Sequence, residues 1–122
     1  FSNKTITILG VTFKPNTDDM REASSIPMIK YLNKKGCKIR YFDPSGEKND
    51  FKNLKNVKFC KNVSSACLKS DLIIIHTEWN SFKLLNFKKL VKKNNFKIYD
   101  LRNLYSVSKM KQLKINYFSI GR

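Results

Sequence analysis

The stretch Asp71-Leu-Ile-Ile-Ile-His-Thr77 has no polar residue in its middle. A strand with one wet face alternates apolar and polar side chains, whereas a continuous apolar run needs cover on both faces. A parallel sheet between two helical layers supplies that cover. Parallel neighbours also demand a long crossover between successive strands, usually a helix. The chain should therefore alternate strand and helix from end to end, and its apolar pattern does so.

Thr5–Val11, Cys37–Phe42, Val57–Cys60, Lys97–Asp100 and Asn116–Ile120 read as the other strands. Ser25–Lys35 reads as a helix. Ser25 suits an N-cap, Pro27 falls in the first turn, Gly36 stops the helix, and Ile26, Ile29 and Leu32 share one face. Val63–Lys69 and Val107–Leu113 read as shorter helices. Another is capped by Asn86, with Phe87, Leu90 and Val91 turned to a core. Ser45 to Asn56 is polar and without clear periodicity. The expected fold is α/β, a Rossmann-like three-layer sandwich with an essentially parallel sheet of about six strands, filling residues 1–122 as one domain.

Composition narrows the function. No apolar run approaches the ~20 residues of a membrane helix, and the start lacks a signal-peptide pattern. The chain opens on Phe1 and enters a strand almost at once, so a piece of a longer polypeptide is expected. Three cysteines, Cys37, Cys60 and Cys67, form no CxxC pair, which suits a reducing cytoplasm and buried thiols. The single histidine, His76, makes no familiar metal spacing with them. Lysine and arginine number 25 against nine acids, a formal net charge of +16. Such an excess raises a nucleic-acid-binding module as an alternative. The charge is nearly all lysine, however, spread along the chain with only four arginines, which reads as solvated helix exteriors.

In sheets of this kind ligands bind beyond the carboxyl ends of the strands. Three loops lie there: Phe13–Glu22, Thr77–Phe82 and Asp100–Tyr105. The first is about twice as long as an ordinary strand-to-helix turn of roughly two to six residues. It lacks the glycines of a dinucleotide fingerprint. It carries Lys14 and Arg21 among Asp18, Asp19 and Glu22, with Asn16 to Asp19 able to knot it through side-chain to backbone bonds. Asp43 at the end of the second strand reads as an Asp-Pro turn, Trp79 as packing for its loop, and His76 as a hydrogen-bonded core histidine.

Phe13-Lys-Pro-Asn-Thr-Asp-Asp-Met-Arg-Glu-Ala-Ser-Ser-Ile26 closely resembles the opening motif of the C-terminal, UDP-binding domain of the UDP-glucose 6-dehydrogenases. Tyr41-Phe-Asp-Pro44, Thr77-Glu-Trp79 with Phe82, Asp100-Leu-Arg-Asn103 and Tyr117-Phe-Ser-Ile-Gly-Arg122 follow in register. The resemblance implies an enzyme that oxidises UDP-glucose to UDP-glucuronate with two NAD+. Its NAD-binding domain, catalytic cysteine and dimer-forming central helical part lie outside this chain. It implies that Phe13, Lys14 and Arg102 contact the nucleotide sugar and that Arg21 reaches the shared NAD, with no catalytic residue in the fragment, which alone would be inactive. The loop acids would hold Lys14 and Arg21 in place. A homodimeric cytoplasmic enzyme of polysaccharide biosynthesis is implied, with neither nucleic acid nor membrane as partner. Another UDP- or GDP-sugar dehydrogenase is the alternative within the same chemistry. Leu101 stands where the motif usually has glycine, which puts the geometry of Arg102 in question.

Overall fold

The computed structural model describes residues 3–120. Six strands form one sheet: β1 Thr5–Leu9, β2 Lys38–Phe42, β3 Val57–Phe59, β4 Leu72–Ile75, β5 Lys97–Asp100 and β6 Asn116–Ser119. Every pairing is parallel and the order is β3-β2-β1-β4-β5-β6. The helices are α1 Ser25–Lys34, α2 Val63–Cys67, α3 Phe87–Val91 and α4 Val107–Gln112. The Rossmann-like α/β expectation holds. The strand order reverses between β1 and β4, where such sheets open a crevice.

Side chains alternate between two cores. Ile6 and Ile8 of β1, Ile39 and Tyr41 of β2 and Ile74 of β4 meet Ile29 and Leu32 of α1. Leu9, Ile73, Ile75 and Ile98 turn the other way and meet Ala66 and Cys67 of α2, Phe87 and Val91 of α3, and Met110 of α4. The isoleucine run is thus covered on both faces, as its pattern requires. The polar segment after β2 contributes through a single 3-10 turn, Asn49–Phe51. Its Phe51 is buried edge-on against Tyr41, with ring centroids 5.1 Å apart.

Several boundaries fall short of the sequence pattern, for local reasons. β1 stops at Leu9 because Gly10 turns to φ +81°. α2 stops at Cys67 because Leu68 goes extended (ψ 121°) and Lys69 is left-handed (φ 59°). At α1 the cap position belongs to Ser24, not Ser25, and its hydroxyl makes no capping bond. Both serines are drawn into tertiary bonds: Ser25 Oγ donates to the Val11 carbonyl, and Ser24 Oγ pairs with the His76 ring. Gly36 ends α1 in the left-handed region, φ +88°, and Asn62, Asn86 and Ser106 cap α2, α3 and α4 with their side chains.

Gly10, just past the end of β1, meets Thr77 at close range. A Cβ there would stand 2.5 Å from Thr77 Cβ and 2.9 Å from the Thr77 backbone nitrogen, on top of the strain of positive φ. Overpacking and left-handed strain each cost about 1–3 kcal/mol. Gly10→Ala is expected to lower the stability of the chain by roughly 3 kcal/mol in urea unfolding followed by circular dichroism. A loss under about 1 kcal/mol would show that the β1 and β4 ends are not held this close.

Candidate functional site

The three long loops converge at the carboxyl edge, and hydrogen bonds stitch them together. The Asp43 carboxylate, fully buried, accepts from the backbone N–H groups of Val11 (2.8 Å) and Thr12 (3.3 Å). Its other oxygen takes both the N–H and the hydroxyl of Ser45, at 2.9 and 2.6 Å. This acid fixes the root of the first loop and the turn after β2, in agreement with a structural Asp-Pro turn.

Thr77 ties the second loop to the first by donating its hydroxyl to the Thr12 carbonyl at 2.9 Å. That hydroxyl has then spent its proton, so it accepts from His76 Nδ1 at 3.0 Å. The opposite ring nitrogen, Nε2, is left to accept from Ser24 Oγ at 2.9 Å. His76 is 2% exposed. Burial, with the Arg102 charge second, pushes its imidazole down to about 4 from 6.5. His76 is therefore a neutral core histidine, as its place in the apolar strand suggests.

The third loop hangs on Asp100, which is buried at the end of β5. One carboxylate oxygen accepts from Arg102 N at 3.1 Å; the other accepts from Tyr105 N at 3.0 Å and Tyr117 Oη at 2.6 Å. Tyr105 Oη donates to the Phe82 carbonyl, joining this loop to the second. Arg102 is exposed, and its Nε donates to the His76 carbonyl at 2.7 Å. The terminal guanidinium nitrogens make no bond to any described residue, so a fork of donors is held by its stem and presented to solvent. Leu101 does not disturb this arrangement. Its φ is not positive, its N–H pairs with the Ile75 carbonyl at 3.0 Å, and its side chain packs with the α1-side core.

The first loop is closed on itself. Phe13 N donates to the Asp19 carbonyl at 2.9 Å, Thr12 Oγ1 to the Lys14 carbonyl at 2.9 Å, and Asp19 N to Thr17 Oγ1 at 3.2 Å. Asn16 takes a left-handed turn at φ 64°. Asp19 clasps Arg21 through both oxygens, at 3.1 Å to Nε and 3.0 Å to Nη2, and this guanidinium holds the carboxyl below its usual range. The idea that acids fix both bases needs correcting. Asp19 holds Arg21, but Lys14 forms no ion pair with any described residue. Its ammonium and the exposed Phe13 ring stay open at the sheet edge.

The structure thus brings Phe13, Lys14 and Arg102 onto linked loops of one edge, with Arg21 on the outer side of the first loop. Sequence reasoning did not identify the scaffold that positions them. Asp100, Thr77, Tyr105 and Tyr117 are silent as single residues, although Thr77, Asp100 and Tyr117 belong to motifs of the resemblance. Trp79 is half-buried against the core on the α2 side, which fits a packing role. Gly121 and Arg122, the end of the last motif, lie outside the described residues. None of the three cysteines is poised for chemistry: all are buried, and burial pushes Cys67 up to about 12. No group of three potential ligands for a metal ion occurs among the described residues, and none of their helices is long and apolar enough to cross a membrane.

Residues 7–107 match the model of the UDP-glucose/GDP-mannose dehydrogenase family, UDP binding domain. A UDP-glucose 6-dehydrogenase of Rhizobium meliloti is 37% identical over 96% of the chain, and one of Rickettsia felis is 39% identical over 97%. The chain spans about 27% of the length of each. Among solved structures, the NDP-N-acetyl-D-galactosaminuronic acid dehydrogenase of Methanosarcina mazei superposes with a TM-score of 0.84 over 99% of this chain and 25% of its own, at 23% identity.

The depressed His76 value has a stability consequence. The unfolded chain binds a proton at this side chain below about 6.5, whereas the folded chain does so only below about 4. The contribution is therefore complete above pH 6.5 and is lost as pH falls through that window. At about 1.4 kcal/mol per unit the loss is on the order of 3 kcal/mol. Stability measured by urea unfolding at pH 7 and pH 4.5 is expected to show that fall in the parent chain and little of it in His76→Gln. An equal fall in both would place the titration elsewhere.

Proposed function

The chain belongs to the UDP-glucose/GDP-mannose dehydrogenase family, and from that membership we propose that it is the UDP-glucose-binding domain of an NAD-dependent UDP-glucose 6-dehydrogenase. The observation that carries this reading is the state of its two edge cations. Arg102 is braced at Nε and open at its fork, and Lys14 has no carboxylate partner among the described residues. A diphosphate with its ribose needs such an arrangement, a planar bidentate donor beside a compact ammonium. Phe13 adds an exposed ring against which the sugar nucleotide packs.

NAD supplies the hydride acceptor when bound, and the residues here fit only its rim. A dinucleotide pyrophosphate sits on backbone N–H groups at the first strand-to-helix turn. Here the N–H groups of Val11 and Thr12 are taken by the Asp43 carboxylate, and Thr77 fills the space beside Gly10. That turn cannot cradle a phosphate. Arg21 remains, 89% exposed and aimed by Asp19, as the contact to a cofactor held mainly by the rest of the enzyme. The buried thiols likewise leave the nucleophile of the oxidation to the rest of the polypeptide. The work of this domain is to bind and orient the nucleotide sugar, and catalysis in a cytoplasmic homodimer is completed by the other domains. Another UDP- or GDP-sugar dehydrogenase shares this chemistry. The lysine excess does not favour nucleic acid, because among the described residues Phe13 is a lone exposed aromatic ring at the ligand edge and not a row of stacking rings.

Charge-assisted bonds are worth about 1.5–3 kcal/mol, so Lys14→Ala and Arg102→Ala should each weaken UDP binding about tenfold or more in calorimetric titration, and GDP should compete poorly. Affinity unchanged by both variants would remove the site from this edge. In the full-length enzyme Arg21→Ala should weaken NAD+ and spare UDP-glucose; the reverse pattern would overturn the division of the first loop. The 122-residue chain mixed with UDP-glucose and NAD+ should produce no NADH at 340 nm. Production would require a catalytic residue within it.

A further inference from the structure

The connections leave one quarter of the sandwich bare. Strand-crossover-strand units in a parallel sheet are right-handed, so the crossovers running from β1 out to β3 lie on one face and those running from β3 across to β6 lie on the other. α1 and the Asn49–Phe51 turn occupy the first face, and α2, α3 and α4 the second. Given this order, α1 reaches no further than Ile74 of β4, and no crossover covers the α1-side face of β5 and β6.

That face is apolar. Tyr99 of β5 and Phe118 of β6 stand opposite each other in register, ring centroids 4.9 Å apart, yet remain 41% and 44% exposed. Between them and α1 runs a groove of about 950 Å³ lined by Ile6, Met28, Leu32, Leu72, Tyr99 and Leu101. Its rim carries exposed Lys4 and Lys97, which pair with no described acid, and Lys93, which pairs with Asp71. In sheets of this class both faces are covered, and a contiguous exposed apolar patch marks an interface.

Charge and chain path select the occupant. A second copy would set one lysine rim against another on chains of net charge +16. Lys4, at the entrance to β1, stands on the rim, so polypeptide leading into β1 passes the mouth of the groove. The chain spans only about 27% of the length of its relatives. We propose that an amphipathic helix from the part of the full-length polypeptide preceding β1 seats in this groove, its apolar face on Tyr99, Leu101 and Phe118 and an acidic flank toward Lys4 and Lys97. This rests on the reading of the chain as one domain of a longer enzyme. Tyr99 and Leu101 flank Asp100, the acid that holds the Arg102 loop. The helix therefore fixes the domain to the rest of the enzyme through the strand that carries its ligand edge.

The test uses thiol labelling, because Cys37, Cys60 and Cys67 are all buried. Phe118→Cys supplies an accessible thiol on the face, Asn116→Cys (exposed, at the groove two residues earlier in β6) a second on the same side, and Leu84→Cys (91% exposed) a control elsewhere. Maleimide labelling of the two face positions is expected to be fast in the 122-residue chain and at least tenfold slower in the full-length protein, with the Leu84 position equal in both. Adding Tyr99→Lys to the full-length protein should restore fast labelling. Equal rates at the face positions in the two proteins would overturn the proposal. So would slow, concentration-dependent labelling in the 122-residue chain, which would identify a second copy as the cover. UDP titration of the same samples keeps the two readings apart: UDP binding with an open face sinks the docking alone, and a protected face without UDP binding sinks the ligand reading alone.

Discussion

The carboxyl edge depends on how closely the ends of β1 and β4 approach each other. With no Cβ on Gly10, Thr77 comes against the first strand and donates to the Thr12 carbonyl. From there the contacts branch. The ring of His76 closes on Thr77 and on Ser24 at the start of α1, while its backbone carbonyl receives Arg102. Buried polar groups are tolerated only when each finds its partner, and here the partners come from loops far apart in sequence. The network therefore locks the loops to one another as well as to the sheet.

The same network explains why a Rossmann-like sheet serves a different ligand arrangement. In a dinucleotide site the backbone N–H groups after the first strand are free for phosphate. In this chain Asp43 takes them, so they are not free for an anion, and the proposed recognition rests on side chains of the loops. Two of these cations differ in how they are supplied. Arg102 is held by its stem through Nε, which lowers the ordering cost of binding, and Lys14 is exposed and forms no ion pair with any described residue. Arg21 is neutralised in part by Asp19, so the loop presents one free and one shielded charge.

The two faces of the sheet carry different tasks. The side of α2, α3 and α4 is closed by three helices that the chain itself provides. The side of α1 is closed over β3, β2 and β1 and as far as Ile74 of β4, with aromatic residues left open beyond. A change of direction at β3 is enough to create this asymmetry, because handedness assigns every later crossover to the opposite face. The strand order that opens the ligand crevice thus also exposes the surface beside it.

Period and turn chemistry act over a few residues, and what they govern was legible in the sequence: six strands, four helices, the parallel class, the Asn86 cap, the Gly36 stop, and the buried roles of His76 and the cysteines. The motif order also pointed to the loops that bear Phe13, Lys14, Arg21 and Arg102. What the sequence could not show depends on register between distant strands. Ser25 has the chemistry of a cap, yet its hydroxyl went to Val11 because the first loop brings that carbonyl over the helix start. Any of three acids near Lys14 and Arg21 could have paired with either, and loop closure between Phe13 and Asp19 selected one pair. Asp100 holds the Arg102 and Tyr105 N–H groups by local bonds, but its third partner, Tyr117, came within reach only once β5 lay beside β6. Periodicity determines which segments form elements, because it is local. Which polar groups meet is decided by tertiary structure, because a buried hydrogen bond depends on the placement of both partners to within a few tenths of an ångström.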